Sequence, residues 1–237
     1  MNRVGSLLTV LLCLVATPTV RAVTAPATAP AKTAIAYPDY SSPRRAVETF
    51  IWAVEAHDSD KISACLYGRT KLEKSAAGAF ARMTAAMGSM LATAKKRLGP
   101  PPGHQQGPSV TARLAALKAA LVHSTVAIKG NRAVIGFPPG AGKEDGRPLH
   151  LIRRGTQWKL NIRYMLHLQQ AGISHQIIKN RIADEKAFAH LLEAVTADLS
   201  SGKIKSWRQF TVDFESRMLA EAARREAKKE AARKLSK

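Results

Sequence analysis

Side chains capable of catalysis or ligation are scattered through this chain, and their spacing seldom lets them act together. Seven histidines stand at 57, 104, 123, 150, 167, 175 and 190. No two have the i to i+4 spacing that sets a pair of imidazoles on one helical face, and no Cys or Asp cluster lies beside them. No metal or other cofactor is expected from that pattern. The run PGAGKEDG, residues 139–146, invites a phosphate-loop reading. That loop needs glycine where Phe137 stands and Ser or Thr where Glu144 follows Lys143, so the run reads as a polar connection. Asp58 and Asp60 are spaced as a carboxylate pair, yet a helix cap and turn account for both, and no catalytic residue is assigned.

The pattern that suggests binding chemistry is an alternation. In STVAIKGNRAVIGF, residues 124–137, a Gly130-Asn131 turn pairs Lys129 with Arg132, Ile128 with Ala133 and Val126 with Ile135. In LHLIRRGTQWKLNI, residues 149–162, a Gly155-Thr156 turn pairs Arg154 with Gln157, Arg153 with Trp158, Leu151 with Leu160 and Leu149 with Ile162. One face of the resulting sheet is apolar and must meet helices. The other collects Lys129, Arg132, Arg154, Lys159 and Arg163, a cluster suited to an anionic polymer. Lysine and arginine on an open sheet also discourage edge aggregation, which is the blander account of the same residues.

The elements that must position this sheet begin late in the chain. Residues 1–22 have a charged start at Arg3, an apolar stretch from Leu7 to Ala16 and a small-residue cleavage site at Val20-Arg21-Ala22, the pattern of a secretory signal peptide. The apolar stretch is about half of what spans a bilayer. Leu12 before Cys13 departs from a lipidation signal. With the leader gone Cys65 is the only cysteine, so no internal disulfide forms and an apolar core must hold the fold. Residues 23–40 are too rich in Ala, Pro and Thr to bury a core and read as a disordered linker. The whole chain carries +20. Loss of Arg3 and Arg21 leaves 35 basic residues against 17 acids, about +18, which favours anionic partners.

Ser42-Pro43 is a helix start, followed by Ala46, Val47, Phe50, Ile51 and Val54 at helical spacing. Asp58 caps a short second helix containing Ile62, Cys65 and Leu66. Thr70-Lys71-Leu72-Glu73 is a capping box opening a third helix that ends by Lys96, before LGPPPGHQQGP. The predicted architecture is α+β: N-terminal helices packed on a curved antiparallel sheet of about four strands over residues 41–164. A helical extension over 165–220 and a charged, solvated helical tail over 221–237 follow.

Pro43, Ala46, Val47, Phe50, Ala53, Asp58, Asp60 and Leu66, then Val126, Ile128, Val134 and Trp158-Lys159-Leu160, carry a resemblance over residues 41–164. This segment resembles the cystatin-like α+β cone of the nuclear-transport-factor-2-like superfamily, SnoaL-like cyclases and ketosteroid isomerases included, and its exported bacterial members of unknown function. The resemblance implies a sheet wrapped into a cone whose mouth takes small apolar ligands. Trp52, Tyr67, Trp158 and Tyr164 are the candidate lining here, although Trp158 reads first as core beside its Leu and Ile partners. Some members use an Asp or His in the cone for acid–base work, but no local motif carries those residues onto positions of this chain.

Together these readings give an exported, non-enzymatic ligand-binding or envelope-associated module, periplasmic or extracellular after leader cleavage. Its expected partner is an anionic cell-envelope polymer, a membrane surface or a small apolar ligand. Nucleic acid fits less well, because aromatics are few and export removes the usual partner. The alternative is a small-molecule enzyme of the cyclase or isomerase kind, using an ionisable residue in the cone pocket.

Overall fold

A computed structural model describes residues 37–102, 110–138, 147–168 and 173–235 of the chain. The predicted leader, most of the linker and the PGAGKEDG run lie outside the described residues. Helix α1, Pro43–Glu55, opens where Ser42 Oγ accepts the Arg45 N–H at 3.3 Å and proline fills the first helical position. Asp58 Oδ1 accepts the N–H groups of Asp60 and Lys61 at 3.1 and 3.0 Å and caps α2, Ser59–Ala64. Helix α3, Lys71–Leu98, carries the capping box: Thr70 Oγ1 accepts the Glu73 N–H and the Glu73 carboxylate accepts from the Thr70 backbone. It runs two residues past the expected end and stops at Gly99, whose φ of +77° suits glycine.

Helix α4, Val110–Val122, leads into the sheet. The strands are β1, Leu66–Tyr67; β2, Thr125–Lys129; β3, Arg132–Gly136; β4, Leu149–Arg154; and β5, Gln157–Asn161, in spatial order β1-β5-β4-β3-β2. Both hairpins have the register that alternation predicts, from Lys129 opposite Arg132 to Val126 opposite Ile135, and from Arg154 opposite Gln157 to Leu151 opposite Leu160. Gly130 and Gly155 take φ of +59° and +58° at the first turn position, where a two-residue hairpin loop admits glycine most easily.

Three expectations need correction. The sheet has five strands among the described residues and is mixed, because β1 pairs parallel with β5, Leu66 opposite Leu160 and Tyr67 opposite Asn161. Leu66 therefore leaves helix α2 for a strand. Secondly, β5 stops at Asn161, whose side-chain oxygen accepts the Arg163 N–H at 3.1 Å and caps a short helix α5, Ile162–Met165. Ile162 and Arg163 are thus helical rather than in a strand. Thirdly, the folded region begins before residue 41. The Tyr40 carbonyl accepts the Trp158 N–H at 3.0 Å, Thr49 Oγ1 donates to the Asp39 carbonyl at 2.7 Å, and Tyr37 stacks on Trp52.

The architecture is α+β, with seven helices among the described residues. Helix α6, His175–Ser200, lies along α3, and α7, Trp207–Leu235, rests on α6. Ile178 and Ile182 of α6 join Ala76 and Ala79 of α3 in the core shared with the sheet, while Leu192, Val195 and Leu199 join Met83, Met90 and Ala94 in a second core. The two helices therefore run in the same direction. Trp207, Phe210 and Phe214 close the second core from α7. Two ion pairs fasten α7 to α6: Arg217 to Asp198 at 2.6 Å and Arg225 to Asp184 at 2.8 Å. The start of the predicted solvated tail is thus held against α6.

Candidate polyanion-binding face of the sheet

Successive residues of a strand point to opposite faces, so the registers assign every side chain a side. Towards α1 point Ala133, Ile135, Leu151, Trp158, Leu160 and Leu66, all buried. Towards the other side point Lys129 and Arg132, opposite each other, then Ile152 opposite Arg132 and Lys159 opposite Ile152. Strands lie about 4.8 Å apart, so Arg132 and Lys159 are rooted about 10 Å from each other with Ile152 between them. Arg154 extends the same face at the turn. Lys129, Arg132 and Arg154 are exposed and Lys159 is half-buried. Among the described residues, no helix lies across this face; α5 touches only its end, where Tyr164 stacks on His150 with ring centroids 3.9 Å apart.

The electrostatics are one-signed. No Asp or Glu occurs in β2, β3, β4 or β5, and between Glu73 and Asp184 the only acids are Glu144 and Asp145. Among the described residues, no ion pair engages Lys129, Arg132 or Lys159. Arg154 is held differently: its Cζ lies 4.6 Å from the Tyr67 ring centroid and its Nη2 donates to the Tyr67 hydroxyl. That pairing depends on β1, which places Tyr67 on the basic side beside Asn161. The face therefore has an apolar middle, Val134, Ile152 and Tyr67, bordered by cations.

Of the five predicted polyanion contacts, the structure gathers Lys129, Arg132, Arg154 and Lys159 on this face. Arg163 is exposed on α5 beyond the end of β5, because Asn161 turns the chain into a helix there. The four predicted pocket residues do not converge. Trp158 is 4% exposed in the core, and Tyr67 lies on the opposite face of the sheet. Trp52 is on α1 under Lys61, whose Nζ is 5.0 Å from its ring, and Tyr164 covers His150.

The space between helices and sheet, where a cone ligand would sit, is filled. Val47, Ile51, Ile62, Ile135, Leu151 and Leu160 are each at most 2% exposed there. Cys65 lies in the same core, donates to the Lys61 carbonyl at 3.2 Å, and burial pushes its thiol up to about 11, which leaves it unreactive. One carboxylate side chain is fully buried among the described residues, Glu185 on α6 at 1% exposure. Desolvation raises its pKa against the opposing pull of Arg181, whose Nε donates to Oε1 at 3.0 Å, while Oε2 has no partner. A separate shallow groove of about 520 Å³ lies between α2, α3 and α6, lined by Ser63, Arg82, Ser89, Glu193 and Thr196 among others. Arg82 donates from Nε and Nη2 to both Glu193 oxygens at 2.7 Å and holds that carboxyl below its usual range. No group of three His, Cys, Asp or Glu among the described residues is placed to hold a metal ion.

No helix among the described residues is long and apolar enough to cross a membrane. No family model matches the chain, and no curated protein or solved structure shows significant similarity to it.

Proposed function

We propose that this protein is an exported, envelope-associated binding module that docks linear anionic polymers on the open face of its sheet. The carrying observation is the acid-free row Lys129, Arg132 and Lys159, continued by Arg154, on a face that no helix covers among the described residues. Polymers bearing repeated phosphates or carboxylates meet such a row by releasing counterions, so affinity falls steeply with salt. The filled space between sheet and helices favours this outer face over a ligand inside a cone. On this reading residues 41–164 are a divergent cone of the nuclear-transport-factor-2-like kind, supported by helices that precede an antiparallel meander. Its interior serves stability, and binding has moved to the outside.

The test is retention on an immobilised polyanion, followed by titration calorimetry with polyphosphate across a salt series. Binding should weaken linearly in log–log form, and Lys129→Gln/Arg132→Gln/Lys159→Gln should reduce the slope by about two to three, slightly under one per lost contact. Retention that persists unchanged from low to high salt would contradict the proposal.

A further inference from the structure

A second cluster of exposed cations lies away from the sheet face. Lys95, Lys96 and Arg97 lie in the last turn of α3, and Lys203, Lys205 and Arg208 lie in and just beyond the turn joining α6 to α7, all six exposed. More than a hundred positions of sequence separate the two groups, about 106 from Arg97 to Lys203 on the chain's numbering, yet two hydrogen bonds bring their backbones together. Arg97 Nη2 donates to the Ser200 carbonyl at 2.6 Å, and Trp207 Nε1 donates to the Gly99 carbonyl at 3.3 Å. The carboxylates beside them are engaged: Asp198 by Lys203 at 2.9 Å and Arg217 at 2.6 Å, and Asp213 by Arg217 at 2.9 Å. Among the described residues no ion pair engages Lys95, Lys96, Lys205 or Arg208. Some of this charge offsets the carbonyl ends of α3 and α6, which converge here. Cations at two helix ends need not number six, nor extend past the turn onto Arg208.

The position of this second patch gives it meaning. Strand β1 feeds into the N-terminus of α3 through Gly68, where an added Cβ would lie 2.6 Å from the backbone of Glu73 and Lys74, so the basic sheet and the start of α3 are in direct contact. The second patch is at the other end of the same helix. α3 has 28 residues, which at 1.5 Å per residue is about 42 Å. Acids gather between the two ends, including Asp58, Asp60, Asp184 and Glu193, and most are paired to neighbouring cations.

We infer that the molecule carries two polyanion-docking surfaces at opposite ends of α3 and bridges separate anionic polymer chains. This rests on the sheet-face reading and adds a second head to it. Linear polymer is favoured over a membrane surface because each patch is a compact group of exposed cations at one end of a helix about 42 Å long, matched to repeated phosphates or carboxylates. The exposed apolar side chains beside these cations, Leu91 and Val212, stand singly rather than gathered into the wedge that deepens membrane docking. Two heads linked rigidly turn simple binding into cross-linking, with avidity gains of about a hundredfold or more when both engage.

The experiment uses the full chain with polyphosphate, in a short form no longer than α3 and a long form. The long form should become turbid at near-stoichiometric protein. Lys95→Gln/Lys96→Gln/Lys205→Gln should still bind both forms through the sheet but lose turbidity. Lys179→Gln/Lys186→Gln/Arg224→Gln removes equal charge elsewhere and should leave turbidity intact. The six side chains of these two triples are exposed, and circular dichroism checks the fold of each variant. Turbidity that survives the helix-end triple, or that the control triple lowers equally, overturns the two-headed inference and leaves the sheet-face reading standing. Unchanged short-chain affinity in Lys129→Gln/Arg132→Gln/Lys159→Gln sinks the sheet-face reading itself. Binding to anionic-lipid vesicles with no binding to polyphosphate overturns both.

Discussion

Replacing Gly88 by alanine puts two opposing terms of known sign into one position. Gly88 is inside α3, where alanine is favoured over glycine by about 1 kcal/mol through backbone entropy. Against that, a Cβ built there lies 2.7 Å from Nε2 and 3.0 Å from Cγ of His57, and closer still to Cδ2. His57 has a φ of +53° in the turn between α1 and α2, so its ring is carried by a left-handed backbone that leaves it little room to retreat. Displacing it by the missing half to one ångström costs about 1–3 kcal/mol, the usual range for overpacking. Gly88→Ala alone should therefore be neutral to destabilising, by up to about 2 kcal/mol. In a His57→Gly background the obstruction is gone, and the same substitution should stabilise by about 1 kcal/mol. Urea denaturation of the four proteins of this cycle measures the coupling, expected at about 1–3 kcal/mol with a change of sign. Equal stabilisation by Gly88→Ala in both backgrounds would show that the ring does not rest on α3.

Other substitutions probe different joints. Gly68→Ala meets the backbone of Glu73 and Lys74 rather than a movable ring, so it should destabilise by about 2–3 kcal/mol in urea, and a neutral outcome would mean β1 does not abut α3. Glu185 has a folded pKa raised by burial, so its native state holds the proton more tightly than the unfolded chain. Its contribution is complete below the ordinary carboxyl pKa and is lost as pH rises through the raised value. Glu185→Gln should remove that dependence and gain on the wild type with rising pH; parallel stability–pH curves would refute the assignment. The Asp198 carboxyl is held low, first by hydrogen bonds from Arg217 and Lys203, so its contribution has the opposite sign and is lost as pH falls. Asp198→Asn should speed hydrogen exchange across 207–217 of α7 while α3 stays protected, and unchanged exchange would show the pair is ornamental.

Local chemistry was readable in the sequence where a few adjacent residues decide it. Ser42, Asp58 and the Thr70–Glu73 box each satisfy helix-end N–H groups within four residues, and Gly130 and Gly155 set hairpin registers that alternation alone can check. Long-range decisions were not readable. Leu66–Tyr67 became a strand because β5, more than ninety residues later by about one domain's length, offers a parallel partner. Without β1, Tyr67 could not be placed beside Arg154. Asn161 ends β5 as the alternation predicts, but its short side chain also caps the next turn, which takes Ile162 and Arg163 off the sheet. Glu185 has the look of a surface residue in a charged helix, and only the packing of α6 on α3 buries it. The aromatic pocket failed for a similar reason: residues of one type do not share a face unless the registers say so.

The shared direction of α3 and α6 sets an order of assembly. Two parallel neighbours cannot be joined by a tight turn, and here the whole sheet lies between them in the chain. Met83, Met90 and Ala94 therefore have no partner until about a hundred further residues have emerged, and closing so long a loop is entropically slow. A chain delivered from its N-terminus must keep that apolar stripe from straying in the meantime. The far half of α3 is where a holding chaperone would find its target, and where a truncation before α6 should turn a folded protein into an aggregating one.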